Sequence, residues 1–131
     1  MLFRSLLDRI DIHVRVEAAP EGSLEGKKGG LSTPEMKKMV TEAREIQYER
    51  QGADLNGELT PSQIKRYCVL GSEESRFMSE AYKSLGLSMR VFHKIIKISR
   101  TIADLAGEKD IKTCHIAEAL QYRGIDGIFN R

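Results

Sequence analysis

Within residues 86–106, apolar side chains recur at alternating spacings of four and three: Val91, Ile95, Ile98, Ile102 and Leu105. On a helix this is one continuous stripe, and Phe92, Ile96, Ala103 and Ala106 widen it. The opposite side carries Arg90, His93, Lys94, Lys97, Arg100 and Asp104. Ser88 stands where a hydroxyl can accept from a free first-turn amide. Leu87 and Phe92 hold the two positions of a hydrophobic staple, and Gly107 lies just past the end. The pattern predicts one long amphipathic helix against which the rest of the chain packs.

Upstream the period changes. Leu2, Phe3, Leu6, Leu7 and Ile10 suggest the last turns of a helix. Ile10, Ile12, Val14 and Val16 then alternate with Asp11, His13, Arg15 and Glu17, the period-two pattern of a strand with one buried face. No second convincing strand follows, and even a hairpin is marginal alone in water. The segment therefore reads as the cut edge of a larger sheet, irregular when its partners are absent. Residues 18–33 are glycine-rich, mixed in charge and aperiodic, as a flexible linker is.

The remainder predicts helices. Residues 34–51, capped by Thr33, place Met36, Met39, Val40, Ala43, Ile46 and Tyr48 on an apolar side, with Glu42, Arg44, Glu45, Glu49 and Arg50 solvated. A turn around Asn56-Gly57 precedes the capping box Thr60-Pro-Ser-Gln63. Ser72 caps a helix that buries Phe77, Met78, Ala81, Tyr82 and Leu85. Thr113 caps a last helix reaching Arg123, with Ile116, Ala117 and Leu120 inward, and Gly124 and Gly127 loosen the tail. The expected fold is all-α, a bundle of about five helices, with one leftover N-terminal strand. The expected divisions are residues 1–17, the linker 18–33 and the helical domain 34–131.

Composition narrows the class. Of the 131 residues, 40% are hydrophobic and 31% charged, which fits a folded, soluble chain. A net charge of +2 weakens the case for a strongly basic nucleic-acid binder. Cys68 and Cys114 are far apart and outside any Cys-x-x-Cys pair, so reduced, buried thiols in a cytoplasmic protein are expected rather than a disulfide or a metal site. The N-terminus lacks the apolar core of a signal peptide, and no run approaches the roughly 20 apolar residues of a membrane helix.

Candidate chemistry is sparse. The stretch from Gly22 to Lys28 faintly resembles a phosphate loop, but only three residues separate its glycines and Lys28 replaces the hydroxyl residue that would bind magnesium. His13, His93 and His115 are scattered, so no metal site is expected. Arg90 is unusual: it falls in the first turn of the central helix, where the dipole disfavours a cation but free amides favour an anion. Lys94, Lys97 and Arg100 continue a basic side that could follow a phosphate backbone; its plain alternative is a solvated helix face.

The run from Arg66 to Gly124, above all LGLSMRVFHKIIKISRTIADLAG and HIAEALQYR, resembles the C-terminal helical lid of magnesium-chelatase-like AAA+ ATPases, in the branch of the ComM/YifB type. LLDRIDIHVRV is similar to the end of that family's ATPase core, and AREIQYERQ to its first lid helix. The resemblance implies that Arg90 is the sensor-2 residue contacting nucleotide phosphates. It implies that Arg9 is an arginine finger reaching into the neighbouring subunit. The expected partners are the rest of the AAA+ core, neighbouring subunits of a homo-oligomeric ring and DNA, with no membrane. The whole enzyme would hydrolyse ATP with magnesium, as a motor in recombination and natural transformation. This stretch carries no Walker motif, so no ATP hydrolysis and no cofactor are expected of it alone. The rival expectation is a stand-alone helical module binding DNA or protein, which would not need the unpaired strand.

Overall fold

The computed structural model describes residues 2–26 and 29–123. Lys27, Lys28 and the glycine-rich tail lie outside the described residues. The elements are α1 (Leu2–Leu7), α2 (Thr33–Gln51), α3 (Pro61–Tyr67), α4 (Ser72–Leu85), α5 (Met89–Leu105) and α6 (Thr113–Gln121), with 3-10 turns at Glu21–Glu25 and Asn56–Glu58. The all-α expectation holds, and α2 to α6 form the five-helix body. Among the described residues the only β-pairing is an isolated parallel bridge between Leu70 and Ile111.

Local chemistry sets the boundaries. Ser32 caps α2 in a full capping box: its amide donates to Glu35 Oε2 at 2.7 Å while its oxygen accepts from the Glu35 amide. Bonds from Ser32, the hydroxyl first, hold the Glu35 carboxyl below its usual range. Thr60 and Gln63 repeat the box at α3, with Pro61 in the first turn. Expected caps fall one residue late elsewhere. Ser32 rather than Thr33, Gly71 rather than Ser72, and Lys112 rather than Thr113 hold the N-cap positions. At α6 the reason is visible: the Lys112 amide donates to His115 Nδ1 at 3.0 Å, which closes the turn one residue earlier.

Helix α5 is the axis of the bundle. Ser88 accepts from the Val91 amide at 3.2 Å. At the other end the Glu108 amide reaches Ala103 O at 2.9 Å and the Gly107 amide reaches Asp104 O at 3.0 Å. This is a Schellman closure, for which Gly107 takes φ +69°. Val91, Ile95, Ile96, Ile98 and Ala103 are buried against Leu59, Ile64, Cys68, Met78, Ile111, Ile116 and Ala119. Each fully buried isoleucine contributes about 1.5–3 kcal/mol relative to exposure; of the predicted stripe, Ile102 is partly buried and Leu105, in the last turn, is exposed.

Three expectations are corrected. The alternating segment 10–16 is not a strand: it runs irregularly and leaves Ile10, Ile12, Val14 and Val16 exposed while His13 is buried. A ladder needs a partner, and none stands beside it among the described residues. The apolar side expected of α2 is mostly exposed at Met36, Met39, Val40 and Tyr48; Ala43 and Gln47 are what α2 buries. Arg50, Arg100 and Asp104, expected on solvated faces, are drawn inward into a polar network described below.

Candidate functional site

Arg90 is the second residue of α5 after its cap, and it is exposed. Its side chain makes no hydrogen bond or ion pair with any described residue. The first intrahelical bond is Phe92 N–H to Ser88 O at 2.9 Å, so the amides of Met89 and Arg90 precede the hydrogen-bonded ladder. A cation placed beside such amides opposes the helix dipole, yet cation and amides together suit a phosphate group.

Arg9 follows α1 and its side chain is also exposed. Its backbone, however, is held. Lys94 Nζ donates to Arg9 O at 3.0 Å and also to the Asp11 carboxylate. Arg123 donates to Ile10 O at 2.6 Å and pairs with the Asp8 carboxylate at 3.7 Å. The His13 amide donates to Tyr122 O at 2.7 Å. The junction that carries Arg9 is thus fastened to α5 and to the end of α6 from both sides.

The basic side of α5 is therefore not a free surface. Lys94 is engaged at the junction, and Lys97 Nζ donates to Gly57 O at 3.0 Å. Arg100 is buried: its guanidinium donates to Asp104 Oδ1 at 3.1 Å, Glu108 O at 2.8 Å and Lys109 O at 2.9 Å. Arg100 thus directs these donors into the fold rather than to solvent.

Asp104 is the feature the amphipathic pattern did not reveal. At 2% exposure it accepts from Arg50 at 2.7 and 2.9 Å, from Arg100 at 3.1 Å and from Asn56 Nδ2 at 2.9 Å. Asn56 in turn accepts from Arg50 and Gln51, and its amide donates to Gln47 Oε1. One carboxylate thereby joins α2, the Asn56–Glu58 turn and α5. The sequence signal was the spacing of four between Arg100 and Asp104, which places them on one helix face; the partners from α2 are remote in sequence.

An apolar groove of about 690 Å³ opens along α5, where Ile12, Met39, Ile98, Ile102, Leu105 and Tyr122 come together. No group of three or more His, Cys, Asp or Glu side chains among the described residues is arranged to hold a metal. Among those same residues no helix is long and apolar enough to cross a membrane.

The fold and these residues define a helical domain built around a capped central helix with an exposed arginine at its start. Residues 30–123 match the family described as magnesium chelatase, subunit ChlI C-terminal, and the chain belongs to that family. It is 44% identical over 121 residues to the competence protein ComM of Haemophilus influenzae, covering 91% of this chain and 23% of that protein. The uncharacterized YifB proteins of Salmonella typhimurium and Escherichia coli are 38% and 36% identical over 121 residues. In both cases 92% of this chain and 24% of the relative are covered. The chain thus spans about a quarter of the length of these relatives.

Proposed function

We propose that this chain is the nucleotide-sensing lid of a ComM-type AAA+ ATPase, with residues 1–17 as the trailing part of the ATPase core and 18–33 as a linker to the lid, 34–131. The observation that carries the reading is Arg90: exposed, bonded to no described side chain, and set against the first-turn amides of the central helix. In this role it makes a charge-assisted contact to a nucleotide phosphate. The exposed apolar side of residues 10–16 supports the core assignment, because a sheet supplied by the rest of the protein would cover it. A self-contained binding module has no use for that edge.

The whole protein hydrolyses ATP with magnesium as a homo-oligomeric ring in the cytoplasm and works on DNA in recombination and transformation. The magnesium ligands and the phosphate loop belong to the rest of the protein. Arg9 acts across the subunit boundary as the finger. DNA phosphates are met by Lys94 and Lys97, whose ammonium groups each keep an N–H beyond the bonds they make within the fold, while Arg100 is turned inward.

The test is made in the full-length ring. Arg90→Ala should keep the fold and weaken nucleotide binding by about 1.5–3 kcal/mol, the strength of a hydrogen bond to a charged group. Arg9→Ala should spare binding and lower turnover. Wild-type affinity and turnover in the Arg90→Ala ring would reduce Arg90 to an ordinary surface arginine.

A further inference from the structure

Arg90 and Lys94 lie one turn apart on α5, so they share a side of that helix. Lys94 crosses from there to the junction, donating to Arg9 O at 3.0 Å and to the Asp11 carboxylate. Its side chain is 14% exposed, so the contact is largely screened from water. Arg123 and Tyr122 grip Asp8, Ile10 and His13 on the far flank. Residues 8–13 are consequently held against α5 and the end of α6. The free end of Arg9 projects from a backbone that the lid itself holds.

We infer that Lys94 is a positioning residue that couples the two nucleotide sites flanking a subunit: a phosphate bound by Arg90 sets α5, and Lys94 carries that setting to Arg9. This rests on the lid reading above and adds the regulation of that site. Because α5 carries Arg90 directly and Arg9 through Lys94, closure over one nucleotide relocates the finger offered to the next subunit. Hydrolysis around the ring is then cooperative, and the cooperativity depends on a lysine that touches neither nucleotide. Asp11 contributes by holding the ammonium in place, and its own side chain is 60% exposed, so its removal leaves packing undisturbed.

The experiment measures ATP hydrolysis against ATP concentration in the full-length ATPase, with equilibrium binding of a fluorescent ATP analogue. Lys94→Met should leave analogue affinity unchanged, lower saturating turnover by about fivefold or more, and bring the Hill coefficient toward one. Lys94→Arg should restore both, since a guanidinium can reach the same two acceptors, and Asp11→Asn should reproduce part of the loss. If Lys94→Met does not fold, Asp11→Asn carries the test by the same readouts. Wild-type turnover and cooperativity in these variants would overturn the coupling, as would a wild-type ring that hydrolyses ATP without cooperativity. A silent Arg90→Ala would sink the sensor reading itself, whereas a defective Arg90→Ala beside a silent Lys94→Met would sink only the coupling.

Discussion

Asp104→Asn is the sharpest probe of how this domain is held together. The substitution keeps shape and removes one negative charge from between two arginines. Asp104 accepts four hydrogen bonds, two on each oxygen: Arg50 and Arg100 at Oδ1, Arg50 and Asn56 at Oδ2. An amide keeps one oxygen and turns the other into a donor, so two bonds become donor facing donor. Each bond to a charged group is worth about 1.5–3 kcal/mol. Leaving the Arg100 cation buried without its partner costs about 3–5 kcal/mol in comparable cases. The Arg50 side chain is 20% exposed and can turn partly to water, which favours the lower end. The expected loss is therefore about 3–4 kcal/mol, out of a total of about 5–15 for a domain of this kind. Urea unfolding followed by far-ultraviolet circular dichroism should show the midpoint falling by roughly 2 M. As a control, Arg76→Ala breaks an exposed pair with Glu80 and should cost less than about 0.5 kcal/mol. A loss under about 1 kcal/mol for Asp104→Asn would refute the view that this carboxylate joins α2 to α5.

Three further outcomes are expected. Burial pushes the Cys68 thiol up from 9.0 to about 11, only partly offset by the nearby Arg100 cation, while Cys114 is exposed. A thiol reagent at neutral pH should therefore modify Cys114 alone, with Cys68 reacting after unfolding. Because the folded state holds the Cys68 proton more tightly, its contribution to stability is complete below pH 9 and is lost as pH rises toward about 11, which alkaline unfolding curves of a Cys68→Ala variant would check. Gly107→Ala meets no atom within 4 Å, so its cost is the left-handed backbone alone, about 1–2 kcal/mol in urea unfolding.

The sequence made the bundle legible because its main force is periodic. Val91, Ile95 and Ile98 declare a buried helix face through spacing alone, and Thr60 with Gln63 declares a helix start through side-chain chemistry. Arg90 was legible for the opposite reason, as a cation where the dipole argues against one. What stayed hidden depends on contacts between remote positions. Nothing near Arg50 announces Asp104, which lies 54 residues away, and a charged residue within a polar stretch reads as solvated until the fold brings its partner. Lys94 was legible as a basic residue, but its bonding was not, because its acceptor is a backbone carbonyl 85 residues upstream, a group every residue carries. The alternation of residues 10–16 predicted a strand that the structure does not form, because no partner strand stands beside it among the described residues.

The sharing of one carboxylate by two arginines and an asparagine also shapes which neighbouring sequences are reachable. A change at position 104 strands the Arg50 and Arg100 cations together, while a change at position 50 or 100 alone leaves the anion with a remaining counter-charge. Mutational drift can therefore enter this cluster through either arginine but is blocked at the aspartate. Replacing the cluster with apolar side chains would have to proceed arginines first, carboxylate last.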